Sequence, residues 1–328
     1  MKVLKITSVV ILTILALSFI IPLFMPEEAV VSSSINIEAN PSLVFHQVND
    51  YHNWSNWSPF DEDSTIVNTY EGAEKGVGAV RQWSGKTAGS GTLTILESEP
   101  YKYIKNKLEF EGGSGGIGEW IFVENENGVN VSWTITISGL SYPFERLLLP
   151  LIKSMTQPML LKGLKSLKVY VEKQPQINKV KIVETPLITS LAIYDSTTVE
   201  GIGALLGKNY GKIMTYIAKK GFDISGAPIA VYHNWDPAGF IKITAAIPVN
   251  GKFKGRKEIK RFEIEPGKAA FVKHFGGYNT EETHYAIDDY IEDFNLKTKD
   301  FIWEVYVTDP ATEVDSTKWQ TDIFYPLK

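Results

Sequence analysis

Two stretches of this chain repeat one another closely enough to constrain half of its fold. Ile229-Ala230-Val231-Tyr232-His233-Asn234-Trp235-Asp236-Pro237 and Trp303-Glu304-Val305-Tyr306-Val307-Thr308-Asp309-Pro310 each read as a strand carrying a tyrosine, closed by an Asp-Pro turn. Each is followed by a second strand that ends in proline, at Pro248 and at Pro326. Each is preceded by a helix and, before that, by strand-like segments. The first helix carries Ile202, Leu206, Ile213 and Ile217 and stops at Gly221; the second carries Ile287, Tyr290, Ile291 and Phe294, entered through Asn279 or Thr280. A unit of strand, helix and hairpin therefore occurs twice, at an offset of about 74 to 78 residues. Two such units pack symmetrically and leave a groove between them, a common place for a ligand.

The other end of the chain is set by hydropathy. Ile6 to Phe24 is a run of 19 residues without a charge. As a helix it is about 28 Å long, close to the ~30 Å hydrocarbon core of a bilayer. Lys2 and Lys5 precede it, and Glu27 and Glu28 follow. The positive-inside bias then places the amino terminus in the cytoplasm and the rest outside the membrane. A cleaved signal peptide is the alternative, but no A-x-A site follows, and Val31-Ser32-Ser33 is a poor substitute. Residues 26–33 read as a short polar linker, and Glu172 to Lys179 as a second boundary. The organisation expected is an anchor over 1–25, one domain over 32–173 and another over 180–328.

Between the two boundaries, Ser34 to Glu38 alternates like a strand, and Asn40-Pro41 reads as an N-cap followed by proline at the first helical position. Strands are expected near 65–71, 78–85, 91–97, 102–110, 118–124 and 129–137. In the last, Val129, Val131, Trp133, Ile135 and Ile137 alternate with polar residues. A helix closes this half; Pro158 is expected to break or kink it, leaving the well-formed part near 158–172. A short helix, a curved antiparallel sheet and a long helix laid across it would enclose a cavity.

Composition excludes several functions. The 328 residues include no cysteine, so thiol chemistry, zinc ribbons and disulfide frameworks are absent. The net charge of −5 lacks the basic surplus of a nucleic-acid binder. The five histidines fall in no metal-ligand spacing, and neither a metal nor another cofactor is expected.

One residue breaks the strand pattern. Glu304 stands in an otherwise apolar run, on the face shared by Ile302 and Tyr306, with Trp303, Val305 and Val307 on the other. The equivalent position in the first repeat is Ala230, so the fold does not require the acid. A carboxylate in an aromatic, partly dry cavity costs several kcal/mol unless it is paired. Such a group awaits a cation, acts as an acid or base, or is locally hydrogen-bonded; otherwise its face is solvated, or it pairs with a lysine such as Lys242. Tyr194, Trp235, Tyr278, Trp303 and Tyr306 are the candidate aromatic walls of the groove.

Two resemblances sharpen these expectations. The segment Ile35 to Phe45, the Trp54-Ser55-Asn56-Trp57-Ser58-Pro59 stretch and the glycine-punctuated sheet resemble the SRPBCC superfamily, the START-like, polyketide cyclase/dehydrase and lipid-transport type. Members bind lipids, hormones or polyketides, and only some are enzymes. Trp54, Trp57, Arg81 and Trp83 read as framework there. Pro266 to Tyr278, Trp303-Glu304-Val305-Tyr306 with Asp309-Pro310, and Trp319 to Leu327 resemble the GyrI-like family, the AraC-type or bacterial transcription-activator effector-binding domain. That resemblance implies an α+β fold of two repeats, with Glu304, Tyr306 and Tyr278 at the motif positions that contact an amphipathic, often cationic ligand. It also implies a bacterial protein. Some stand-alone members hydrolyse reactive small molecules with that glutamate; here no catalytic set is assigned, though Glu304 as general base is the alternative. The overall expectation is a single-pass protein of the bacterial cell membrane. Its extracytoplasmic helix-grip domain and duplicated effector-binding domain bind hydrophobic or cationic small molecules and no nucleic acid.

Overall fold

A computed structural model of the chain describes residues 2–61, 63–86, 89–111 and 115–328. The chain divides into two compact units, Met1–Gln176 and Ile177–Lys328.

The first unit opens with helix α1 (Lys2–Ile20), continued by a 3-10 turn to Phe24. Ile6–Phe24 is long and apolar enough to cross a membrane. Strand β1 (Ala29–Ile37) follows almost at once. The residues expected to form a linker therefore belong largely to the sheet: Ala29 to Ser33 pair with Ile137 to Trp133, and Ala29 and Val31 are buried. The run of serines conceals this strand because one face is polar. After α2 (Pro41–Asn49), capped by the Asn40 side chain as expected, come β2 (Val67–Gly72), β3 (Ala79–Gly85), β4 (Gly89–Glu99), β5 (Tyr103–Phe110), β6 (Gly115–Asn125) and β7 (Gly128–Ile137). They form one antiparallel sheet in the order β1-β7-β6-β5-β4-β3-β2.

A one-turn helix α3 (Phe144–Leu147) leads into α4 (Leu149–Val171). Here the structure departs from expectation: α4 runs unbroken through Pro158. Pro158 and Ser154, whose carbonyl loses its donor, are both exposed, so water can satisfy that carbonyl. The buried stripe Leu160, Leu164, Leu167 and Val171 presses on the sheet. Gly163 lets the helix approach closely, since a Cβ there would lie 2.8 Å from the Trp133 ring. The space beneath α4 is filled by Trp54, Trp57, Trp120 and Trp133, the last two stacked with centroids 4.2 Å apart. Trp54, Trp57 and Arg81 are thus framework. Buried Arg81 is held by Asp61 and Asn68 and lies under the Trp54 ring.

The second unit contains β8 (Lys181–Thr185), β9 (Ile188–Thr197), α5 (Ile202–Lys220), β10 (Ile229–Tyr232), β11 (Ile241–Pro248), β12 (Lys260–Ile264), β13 (Gly267–Phe275), α6 (Glu281–Asp293), β14 (Ile302–Tyr306) and β15 (Gln320–Pro326). Gly221 ends α5 in the left-handed conformation. The eight strands form one sheet in the order β12-β9-β11-β10-β14-β15-β13-β8. The order is symmetric about the β10–β14 junction: each strand of one repeat mirrors its equivalent in the other. The leading strand of each repeat is exchanged, so that β8 pairs with β13 and β12 with β9.

Antiparallel pairing puts Ala230 opposite Glu304. These two are also equivalent by the 74-residue offset, so a pseudo-two-fold axis passes between them. The same offset relates Ile213 to Ile287, both fully buried under their helices. The polar pair Asn209 and Thr283 is related too, and each is buried beside a polar group of the neighbouring strand, Asp195 and His274.

Candidate functional site

The acid singled out by its place in β14 lies at the centre of this pseudo-symmetry. Glu304 is 5% exposed and is supported by four donors from three elements. On Oε2 it accepts from the Tyr306 hydroxyl at 2.8 Å and the Tyr232 hydroxyl at 3.2 Å. On Oε1 it accepts from His284 Nε2 at 3.0 Å and Thr280 Oγ1 at 3.3 Å. Each carboxylate oxygen thus receives two donors, the full complement of its lone pairs.

Each donor has a local reason to be there. Tyr306 lies two residues along β14 and so on the same face as Glu304. Tyr232 is its equivalent in β10, again 74 residues earlier. Thr280 is the residue before α6, where a threonine hydroxyl ordinarily accepts from the helix's first turn. It makes no such cap and instead donates to Glu304. His284 follows one turn later on the same helix face. Its other ring nitrogen, Nδ1, is 2.9 Å from the Tyr325 hydroxyl of β15. With Nε2–H donated to the carboxylate, Nδ1 accepts from Tyr325 in the neutral ring and donates to it in the imidazolium.

Burial acts to raise the Glu304 pKa. The hydrogen bond and charge of His284, then the hydroxyls of Tyr306 and Tyr232, outweigh it and hold the carboxyl below its ordinary range. The carboxylate is therefore ionised at neutral pH. Its neighbours respond in the opposite sense: burial and the Glu304 charge push Tyr232 and Tyr306 well above the usual phenol range. Tyr210 of α5, the equivalent of His284 by the same offset, is raised by burial and by the charges of Tyr232 and Glu304. Its buried hydroxyl has no hydrogen-bond partner among the described residues.

The predicted aromatic walls divide into two groups. Tyr306 is in the site. Tyr278 packs edge-on against Tyr306 at 5.6 Å and lies tilted against Trp319 at 5.1 Å, and it is half exposed, as a rim residue is. Trp235 lies 6.2 Å from Tyr232 and is also exposed. Trp303 and Tyr194 do not belong to this group. Trp303 stacks on Phe324 at 4.9 Å in the core on the opposite face of the sheet, as the period of two along β14 dictates. Tyr194 alternates with Ile193, which faces α5, and so also lies on that opposite face; its ring meets His233. Of the alternatives open for Glu304, the structure shows local hydrogen bonding, with His284 as its ionisable neighbour. Lys242 is exposed and alternates with Ile241 and Ile243, which share the Glu304 face, so it points away.

Tyr210, Tyr232, Thr280, His284 and Tyr325 were not singled out as site residues. Four of them sit on other elements of the fold, with nothing unusual in their local sequence. The signal available was the repeat itself: applying its offset to Tyr306 yields Tyr232.

Two family models match the chain. Residues 28–172 match polyketide cyclase / dehydrase and lipid transport, and residues 178–328 match the GyrI-like small molecule binding domain. The chain carries these two domains in tandem, in that order. The site just described lies wholly within the GyrI-like domain. Solved structures similar to the chain include the EcmrR C-terminal domain (18% identity, 46% of this chain and 98% of that one, TM-score 0.40). SAV2435 bound to tetraphenylphosphonium is another (14%, 46% and 94%, TM-score 0.35), and so is a hydrolase encoded by lin2189 from Listeria innocua (14%, 46% and 93%, TM-score 0.35). A search of curated proteins found no significant match.

Proposed function

We propose that the GyrI-like domain binds a cationic, aromatic small molecule over Glu304, and that the protein holds this site at a membrane through α1. Small-molecule binding is the property of the domain family; the charge preference is inferred from the site. The observation that carries it is an ionised carboxylate, nearly excluded from water, on the pseudo-two-fold axis. Around it stand the rings of Tyr306 and Tyr232, with Tyr278 and Trp235 exposed at the rim and Trp319 packed against Tyr278. Buried negative charge projects its field into the space above it with little screening, and aromatic faces add cation–π attraction of about 0.5–2 kcal/mol per good contact.

A hydrolase with Glu304 as general base is the competing reading. A base works best when its pKa lies near the operating pH. The His284, Tyr306 and Tyr232 contacts move the Glu304 carboxyl the other way, which favours binding over proton abstraction.

Retention of the anchor is supported by β1. Cleavage near Val31-Ser32-Ser33 would sever Ala29 to Ser33 from the edge of the sheet and leave their partners on β7 unpaired.

Charge selectivity tests the proposal. Calorimetry on the full chain should detect tetraphenylphosphonium and give at least tenfold weaker binding for triphenylphosphine oxide, which offers similar rings without the charge. Equal affinity for the two probes would refute the charge preference.

A further inference from the structure

The outer end of α1 is fastened to the sheet domain. The Tyr142 hydroxyl donates to the Phe19 carbonyl at 2.7 Å, and the rings of Phe19 and Phe144 meet edge to face at 6.2 Å. Just beyond, the Leu140 amide donates to the Glu27 carbonyl, and the Arg146 guanidinium donates to the Glu27 carboxylate at 2.6 Å and to the Leu140 carbonyl. Met25, Ala29, Leu140, Leu149 and Ile152 close a small apolar cluster behind these bonds. No flexible spacer separates the apolar helix from the domain, so the depth of one sets the depth of the other.

Starting at that junction, Phe144, Leu148, Leu151, Met155 and Met159 recur at spacings of four, three, four and four residues along α3 and α4. They are all between 43% and 65% exposed. Helical periodicity puts them on one face, opposite Leu160, Leu164 and Leu167, and about 22 Å long at 1.5 Å per residue. Tyr142, Leu23 and Phe24 extend the apolar surface to the end of α1. A soluble surface seldom leaves so long an apolar stripe uncovered.

We infer that this stripe is covered by lipid. It lies in the interfacial layer of the leaflet from which α1 emerges and seats the polyketide-cyclase-type domain directly on the membrane. The argument rests on the reading of α1 as a membrane span and on the stripe's continuity with that helix. Where α1 leaves the hydrocarbon, Phe19 and Phe24 stand at headgroup depth, and Tyr142 and Phe144 touch the same level. A helix with large apolar residues along one face of its amino-terminal half, Lys153 on another side, and Lys162 and Lys165 taking over beyond Met159 can lie in that layer at its amino-terminal end. The domain then has a fixed orientation, with α4 toward the bilayer at its amino-terminal end.

The absence of cysteine makes the test direct. Single variants Leu151→Cys, Met155→Cys, Ile14→Cys and Val123→Cys of the full chain, each labelled with an NBD fluorophore, are reconstituted into phosphatidylcholine–phosphatidylglycerol vesicles with and without brominated acyl chains. Val123 is exposed on the outer side of the sheet and serves as the water-facing reference. NBD at 151 and 155 should emit to the blue of the 123 label and lose at least a third of its intensity to brominated lipid. Quenching at 151 and 155 no greater than at 123 would overturn the inference, provided the Ile14 label is quenched. An unquenched Ile14 label would instead overturn the reading of α1 as a span. A blue-shifted label at 151 that ignores bromine and depends on protein density would show a second protein copy on the stripe, which also overturns lipid docking.

Discussion

Replacing Glu304 by glutamine isolates the contribution of its charge. All four lone-pair positions of the carboxylate are taken by Tyr306, Tyr232, His284 and Thr280, so an incoming cation meets a hydroxyl before it meets the acid. The charge separation is then about 6 Å. At an effective dielectric constant of about 20, 332/(20 × 6) is about 2.8 kcal/mol, or roughly a hundredfold in affinity. Glutamine preserves the shape and can keep its carbonyl toward the two tyrosines. Its amide then donates to Thr280 and to the unprotonated Nε2 of His284, whose ring can shift its proton to Nδ1 and donate to Tyr325. The hydrogen-bonded arrangement should therefore survive while its field disappears. Titration calorimetry of wild type and Glu304→Gln with tetraphenylphosphonium and with triphenylphosphine oxide should give a loss of roughly 30- to 300-fold for the cation and less than threefold for the neutral probe. Raising the salt from 0.05 to 0.5 M should change the wild-type cation affinity little, because a charge this buried is poorly screened. Equal losses for the two probes would mean that the substitution damaged shape rather than charge. An unchanged cation affinity would mean that the ligand does not sense Glu304 at all.

Other consequences follow from the geometry. Because the folded-state pKa of Glu304 is depressed, its contribution to stability is present above the unfolded value of about 4.3 and is lost as pH falls through the lower folded value. The difference in denaturant stability between wild type and Glu304→Gln should accordingly shift against wild type as pH drops from 6 to 3, and a pH-independent difference would contradict the paired carboxylate. Tyr194→Ala should leave probe affinity within twofold of wild type, since that ring lies on the other face of the sheet; a tenfold loss would relocate the site. Gly163→Ala should cost about 1–3 kcal/mol in urea unfolding followed by tryptophan fluorescence, because the new methyl meets the Trp133 ring even though alanine is the better helix former. Asp61→Ala should cost about 3–5 kcal/mol by leaving the Arg81 guanidinium buried without its carboxylate.

What could be read from the sequence was local and periodic. The strand from Val129 to Ile137 announced itself by alternation, Asn40-Pro41 by capping chemistry, and Gly221 by the conformation a helix end demands. The same period of two separates Glu304 from Trp303, so counting Trp303 among the candidate walls goes against the alternation, and the structure places it in the core of the opposite face. Two features were hidden for physical reasons. β1 starts at Ala29, but the serines that follow, Ser32-Ser33-Ser34, mask the buried positions Ala29 and Val31. Pro158 reads as a break, yet an exposed proline needs only a neighbouring carbonyl that can turn to water. The acid's partners were hidden for another reason. Tyr306 was legible two residues along the strand, but Tyr232, Thr280 and His284 come from other parts of the chain, and only the folded topology brings them within 3.3 Å of the carboxylate.

The pairing of Ala230 with Glu304 has a consequence for how such a protein can arise. Two identical chains assembled about an exact dyad would bring any acid at this spot face to face with its own copy, about 5 Å away backbone to backbone. The two negative charges would repel, and one would have to take up a proton. Covalent fusion of the copies removes that compulsion: one half can keep a small methyl while the other installs the anion. A solitary charge on a symmetry axis is available only to a molecule whose halves are free to diverge.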